Sequence, residues 1–300
     1  MLLKWLLKEN GLLNKIMRIL ILGGRGMLGH RLERKLSQTH DVYITLRRSI
    51  DQYPSEELPR KSRVIFNLNI HDDAGLNDAI HSVKPEVILN CIGIIKQRIE
   101  SENRYESLMI NSVLPHRLAK LCRVFGARLI HFSTDCVFSG KRGGYTEDDL
   151  SDAEDVYGKT KYLGEVDDDR CMTIRTSIIG RELENKKGLI EWFIAQNGKT
   201  IKGYENAIFS GITTNELSNI VDQILVTHQE LSGIWQVGAN KINKYELLLK
   251  AKMAFGWKGD VNPFSDYYCD RSFSSERFIK ATGYRAPSWD EMLEVMAVNK

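Results

Sequence analysis

The chain has 300 residues, 42% of them hydrophobic and 27% charged, with a formal net charge of +3. Such a length can bury a sizeable core, the composition excludes disordered, fibrous and disulfide-scaffold classes, and so small a charge provides no global field to attract nucleic acid. Cys91, Cys122, Cys136, Cys171 and Cys269 show no CxxC or Cys/His ligand spacing. This argues against a metal site and a secreted disulfide framework, and for a reducing, cytoplasmic setting.

No apolar run approaches the ~20 residues that cross a bilayer, so no membrane partner is expected. Residues 1–16 (MLLKWLLKENGLLNKI) read as an N-terminal extension without the unbroken apolar stretch of a signal peptide. Either Met17 is the functional start, or the extension is an amphipathic helix docked on the body or on a partner.

Met17 to Leu22 (MRILIL) is an apolar strand, followed by a glycine-rich turn over residues 23–29 and a helix from Arg31 to Ser37. Further strands are expected at Asp41 to Leu46, Arg63 to Leu68, Glu86 to Ile92, Arg128 to Phe132 and Cys171 to Arg175, with helices from Glu102 to Phe125 and from Val156. Alternating β and α units imply a doubly wound α/β fold, a parallel sheet covered on both faces. Residues 17–177 form this domain. Residues 178–300 form mainly a smaller C-terminal lobe, with helices at Leu189 to Gln196, Thr214 to Thr227 and Lys244 to Phe255, and room for one strand returning to the main sheet. In such sheets ligands lie beyond the carboxyl ends of the strands, so the lobe would close the substrate side of a pocket.

The turn Gly23-Gly24-Arg25-Gly26-Met27-Leu28-Gly29 sits where a Rossmann dinucleotide site needs glycines: for the tight turn, for approach of a pyrophosphate, and for close helix packing. A purely structural glycine turn is the plain alternative, but strand, turn and helix follow in the required order. At the end of the second strand a carboxylate would bind ribose hydroxyls, whereas arginine suits a 2′-phosphate. The sequence there is Leu46-Arg47-Arg48, and Arg25 lies within the glycine turn. Both point to NADPH, with NADH left open.

Tyr157 precedes Lys161 by four residues, which puts both on one helix face, where an ammonium favours the phenolate. With 11 tyrosines in 300 residues, about one such spacing arises by chance, so the count alone decides nothing. Position does more: the pair opens the helix after the fifth strand, and Thr134 lies at that strand's carboxyl end. Lowering a phenol from about 10 to about 7 requires roughly 4 kcal/mol of differential stabilisation from the lysine and the cofactor's charge. The seven histidines show no ligand spacing and read as surface or satisfied polar groups, and no metal is expected. Trp192 and Phe193 read as core, and Lys186 and Lys187 as a solvated pair within reach of a diphosphate.

GGRGMLG (23–29), NCIGIIKQ (90–97), Asn111, STDCVFSG (133–140), VYGKTKYLGE (156–165) and RTS (175–177) together resemble the extended short-chain dehydrogenase/reductases, and within them the dTDP-4-dehydrorhamnose reductase branch. The resemblance covers most of the chain and implies reduction of a nucleotide-linked 4-keto-6-deoxy sugar. Tyr157 would be the proton donor, Lys161 would bind the nicotinamide ribose, Thr134 would hold the keto oxygen, and Asn111 would support a water-mediated proton path. Cys91, Ile92 and Gly93 would line the nicotinamide ribose, and Asn69 and Ile70 the adenine. Asp135, Cys136, Lys96 and Ile178 would face the sugar. Cys136 stands where the branch often has tyrosine, and Ile178-Ile179 where an aromatic is common, which leaves the sugar undefined. An epimerase or 4,6-dehydratase of the same fold, a non-catalytic NADP-binding regulatory subunit, and a homodimer all stay open.

Overall fold

In β1 (Arg18–Leu22), Ile19 and Ile21 join one apolar cluster, Leu20 and Leu22 another, and all four are fully buried. A strand buried on both faces belongs in the interior of a parallel sheet. The computed structural model, which describes residues 15–53, 58–59, 63–95, 103–184 and 186–298, has it there. Residues 1–14 of the N-terminal extension and Lys96 lie outside the described residues.

The first part of the chain continues with α1 (Gly29–Leu36), β2 (Asp41–Thr45), β3 (Val64–Ile65), α2 (Asp73–Val83), β4 (Val87–Asn90), α3 (Arg104–Ser107), a π-helical stretch (Leu108–Val113) and α4 (Leu114–Phe125). Then come β5 (Arg128–Phe132), α5 (Val156–Leu163) and β6 (Cys171–Arg175). The later part holds β7 (Ile178–Ile179), α6 (Leu189–Ala195), β8 (Thr200–Tyr204), β9 (Ala207–Phe209), β10 (Ile212–Thr213), α7 (Thr214–Thr227) and β11 (Gly233–Gln236). It ends with β12 (Ile242–Asn243), α8 (Lys244–Ala254), β13 (Asp260–Phe264), β14 (Cys269–Asp270), α9 (Glu276–Thr282) and α10 (Trp289–Val298).

The main sheet has seven strands in the order β3-β2-β1-β4-β5-β6-β11, every neighbouring pair parallel. This is the Rossmann order with one strand added, and the order reverses between β1 and β4, where such sheets open a crevice. Ile19 and Ile21 share their cluster with Leu32 of α1 and Ile220 of α7; Leu20 and Leu22 share theirs with Ile80 of α2 and Leu118 of α4. Asp222 of α7 pairs with Lys35 at 3.3 Å and lies 3.6 Å from the His40 ring, tying α7 to the edge of α1.

Several boundaries differ from the sequence reading for identifiable reasons. The third strand is only two residues long, because Asn67 adopts φ 59° and turns the chain away from the ladder. The long helix is interrupted by the π-helical stretch. Trp192 is not core: it is 39% exposed, while its neighbour Phe193 is fully buried and stacks on Trp257 with ring centroids 4.7 Å apart. The strand that rejoins the main sheet is β11, whose Gly233 to Gln236 run beside β6.

Candidate active site

The glycine turn is built by contact as much as by backbone freedom. Gly23 has φ 82°, a conformation that L side chains rarely adopt. A Cβ on Gly29 would overlap the Gly23 carbonyl, and one on Gly24 would stand 2.5 Å from Ile44. Gly26 differs, since a Cβ there would meet only the Gly23 oxygen at 3.4 Å. It therefore borders open space at the entrance to α1, as a phosphate cradle requires. The Gly23 amide donates to Thr45 Oγ1 at 3.3 Å, fixing the turn to the end of β2. His30 is buried under the turn, its Nδ1 2.8 Å from the Gly26 carbonyl, and burial lowers its pKa to about 4, so the ring is neutral and donates.

The side chain of Asp155 caps α5 by accepting from the Gly158 amide at 2.8 Å, which fixes the helix start two residues before Tyr157. One turn later Lys161, 5% exposed, donates from Nζ to the Phe132 carbonyl at 2.6 Å, at the carboxyl end of β5. The next turn of chain carries Thr134, which accepts from the Cys136 amide and donates to Asp135 Oδ1, both at 3.1 Å. Tyr157 shares the cavity wall with Thr134, whose hydroxyl favours the charged form of the phenol against the larger effect of burial.

The expected Lys161-driven lowering of Tyr157 is not what the protein's own groups produce. Burial is the largest influence on both: it pushes the phenol above its ordinary value and brings Lys161 down to about 8. Tyr157 is thereby held as a protonated phenol. Burial likewise raises Asp135, against the opposing charges of Arg271 and Lys244, and pushes the Cys136 thiol up to about 12.

Asn111, 1% exposed in the π-helical stretch, accepts from the Ile94 amide at 2.9 Å and donates to the Ile94 carbonyl at 3.0 Å and to Thr160 Oγ1 at 3.3 Å. Its amide clamps the loop after β4 to α5 and forms no hydrogen bond with Lys161. A second buried network lies behind Thr134. Arg175 meets both oxygens of Glu165 at 2.8 and 2.7 Å, and Ser133 Oγ donates to the same carboxylate at 2.7 Å.

A cavity of about 490 Å³ brings together Arg25, Gly26, Met27, Leu28, Cys91, Ile92, Gly93, Thr134, Asp135, Cys136, Tyr157, Lys161 and Ile178. Gly23, Gly24 and Gly29 stand behind its wall as packing positions. Arg47 and Arg48 are exposed after β2, and Asn69 and Ile70 follow β3; none of the four lines the cavity. Lys187 lines it, whereas Lys186 does not. Arg25 is already engaged, its Nε 2.7 Å from Glu184 Oε1 and its guanidinium 5.2 Å from the Tyr53 ring centroid. Glu184, Lys244 and Arg271 were absent from the sequence-derived site. Lys244 carried a signal: INKYE is a helix start with Asn243 as cap and Glu246 three residues on, and a lysine in its first position opposes the helix dipole. Among the described residues no cluster of three or more His, Cys, Asp or Glu could hold a metal ion, and no helix is long and apolar enough to cross a membrane.

A doubly wound sheet with a glycine turn at its first βα junction and a Tyr/Lys/Thr cluster at the end of β5 defines an extended short-chain dehydrogenase/reductase fold. Within that class, residues 17–255 match the family described as RmlD substrate binding domain, and the chain belongs to it. Methionine adenosyltransferase 2 subunit beta of Mus musculus is 29% identical over 150 residues, 49% of this chain and 41% of that protein. The dTDP-4-dehydrorhamnose reductase of Streptomyces griseus is 33% identical over 150 residues, 49% of this chain and 43% of that protein. The matches thus span about two fifths of the length of these curated relatives. Spore coat polysaccharide biosynthesis protein SpsK of Bacillus subtilis (strain 168) is 26% identical over 293 residues, 92% of this chain and 95% of that protein. Among solved structures, dTDP-4-dehydrorhamnose reductase of Bacillus anthracis in complex with NADP shares the fold with a TM-score of 0.77 at 22% identity, covering 95% of this chain and all of that one. A hypothetical dTDP-4-dehydrorhamnose reductase of Sulfolobus tokodaii reaches 0.75 at 28% identity, covering 91% and 98%.

Proposed function

We propose that the chain is an NADPH-dependent oxidoreductase that reduces the C4 ketone of a nucleotide-linked 4-keto-6-deoxy sugar, the reaction class of a dTDP-4-dehydrorhamnose reductase. The observation that carries this reading is the convergence of Tyr157, Thr134 and Lys161 on the wall of a cavity that also includes Gly26. A phenol held protonated by burial can deliver a proton to a developing alkoxide. Thr134 then orients the ketone oxygen beside that phenol, and Lys161 holds the ribose. The nicotinamide, when bound, supplies the hydride.

The open space at Gly26 and the N-terminus of α1 fit a dinucleotide's pyrophosphate. The absence of an acid at the end of β2, with Arg47 and Arg48 exposed there, supports NADPH over NADH. Residues 17–177 would hold the cofactor and residues 178–300 the substrate, apart from β11 in the main sheet. The five free thiols support a cytoplasmic site of action.

The test is a panel of nucleoside-diphosphate 4-keto-6-deoxy sugars with NADPH or NADH oxidation as readout, followed by assignment of the product's C4 configuration. Tyr157→Phe should lower turnover by about 10²- to 10⁴-fold while cofactor affinity stays close to wild type. Normal turnover in that variant would remove Tyr157 from the mechanism. The mammalian subunit-beta relatives favour one competing reading, an NADP-binding regulatory subunit, which predicts tight NADPH binding with no turnover across the panel. Cofactor-retaining epimerase or dehydratase chemistry predicts turnover without added NADPH, and Cys136 sits where the superfamily's dehydratases resemble one another in carrying a glutamate.

A further inference from the structure

No acid stands directly at the end of β2, where Leu46, Arg47 and Arg48 follow in turn, yet the fold brings one close to it from the lobe. Glu184, 159 positions beyond Arg25, accepts from Arg25 Nε at 2.7 Å. The same guanidinium lies 5.2 Å from the Tyr53 ring centroid, and the Tyr53 hydroxyl accepts from the Arg48 amide at 3.4 Å. Gly24, next to Arg25, donates from its amide to the Thr45 carbonyl at 3.3 Å. These contacts hold Arg25 beside the end of β2, where a Rossmann fold receives the adenosine ribose. Arg25 and Glu184 both line the cavity, and their side chains are 9% and 34% exposed.

Local structure does not account for Glu184. Its neighbour Glu182 serves the helix that follows, accepting from the Lys187 and Gly188 amides at 2.8 and 3.2 Å just before α6. Glu184 instead sends its carboxylate across to the glycine turn. A pair whose acid is one-third open to solvent adds little stability. Its larger consequence is electrostatic. A phosphate arriving beside Arg25 meets a guanidinium whose charge is already balanced, and a carboxylate that repels it, in a site partly shielded from water. A ribose hydroxyl carries no charge and can donate to a carboxylate, so it meets no such repulsion.

We propose that Glu184 is a specificity-determining residue that holds down the preference for NADPH, because it competes with the 2′-phosphate for Arg25 and leaves NADH unhindered. This rests on the cofactor reading above and is independent of the sugar. The three arginines near β2 then differ in role. Arg47 and Arg48 are exposed and meet the phosphate from solvent, whereas Arg25 turns to it only when Glu184 releases the guanidinium. The choice between the two dinucleotides is thus set partly from the lobe, by a residue far along the chain from the glycine turn.

The experiment is calorimetric titration of the full chain with NADPH and with NADH, in the absence of any sugar, for wild type, Glu184→Gln, Glu184→Asp, Arg25→Gln and the double variant Arg25→Gln with Glu184→Gln. Glu184→Gln should bind NADPH about tenfold more tightly, the scale of one charge-assisted contact regained, and the gain should shrink as salt rises. NADH affinity should stay within about twofold of wild type, which also serves as the control for folding. Glu184→Asp keeps the charge but shortens the reach to Arg25, so its NADPH affinity should fall between the two. In the Arg25→Gln background the gain from Glu184→Gln should vanish, because the two side chains act as one unit. An equal gain for both dinucleotides, a gain that persists without Arg25, or no gain at all overturns the assignment, the last leaving the pair as a structural tie. If wild type binds NADPH with an affinity that ignores Glu184, this inference fails and the cofactor reading stands. If wild type binds neither dinucleotide, both fail.

Discussion

Gly158 lies directly against the backbone carbonyl of Cys136: a Cβ on residue 158 would overlap that oxygen and stand 2.7 Å from the Ala153 Cβ. The helix carrying Tyr157 thus packs on the loop carrying Thr134 at a distance that only glycine permits. Gly158→Ala must separate the two, which moves Tyr157 away from Thr134 across the cavity wall they share. We expect turnover to fall by about 10²-fold, the usual consequence of misplacing a reacting group by about an ångström. Overpacking should also cost roughly 1–3 kcal/mol of stability. Steady-state kinetics beside an NADPH titration would check this, and a turnover number within threefold of wild type would show that the close approach is dispensable.

This approach also marks what the sequence could and could not convey. The parallel sheet was legible because MRILIL and its counterparts are apolar on both faces, and the glycine turn because it follows such a strand directly. Tyr157, Lys161 and Thr134 were legible from position along the chain. Lys244 and Arg271 were not, because they reach the same cavity from 83 and 110 residues beyond Lys161, through short strands with little periodicity of their own. Asn111 was singled out only through the family resemblance, and its clamp on the Ile94 backbone depends on a π-helical stretch that residue pattern does not announce. Glu184 could not be foreseen as the partner of Arg25, since a side chain 159 positions away closes that pair.

The pair Arg175 and Glu165 has side chains only 3% and 2% exposed and carries Ser133 on the same carboxylate. Breaking a buried pair by removing one partner leaves an uncompensated charge and typically costs about 3–5 kcal/mol. Arg175→Met should therefore destabilise the protein by that amount in urea unfolding. The double change Arg175→Met with Glu165→Leu should recover most of it, because the orphaned carboxylate is gone. A single variant as stable as wild type would mean that water or another group replaces the guanidinium.

On the proposed reductase reading, Lys161 should set the alkaline side of the activity profile. Burial brings its pKa down to about 8, so it loses its proton as pH rises through that value, and with it the charge expected to hold the ribose. The pH profile of kcat/KM reports groups of the free enzyme, and it should fall above about pH 8. Lys161→Arg retains a charge at every accessible pH, so whatever activity survives should lose that alkaline limb. An unchanged limb in the arginine variant would assign it to another group.

His30 makes stability pH-dependent on the acid side. Its folded pKa of about 4 lies below the ordinary histidine value near 6.5, because burial beneath the glycine turn disfavours the charged ring. Between those values the unfolded chain takes up a proton that the folded chain refuses, so stability falls as pH drops from about 6.5 towards 4 and is unaffected above that window. One such group contributes a slope of up to about 1.4 kcal/mol per pH unit. His131, fully buried beside Asn90 and also held far below its ordinary value, acts in the same direction. Urea unfolding of wild type and His30→Gln at pH 7, 6 and 5 should show the variant losing less stability on acidification, with a slope reduced but not abolished because His131 remains. Because His30 donates to the Gly26 carbonyl, the same variant should also weaken NADPH binding at neutral pH, by loosening the turn rather than by removing a contact to the cofactor. Parallel slopes for the two proteins would show that His30 takes up its proton without unfolding the turn.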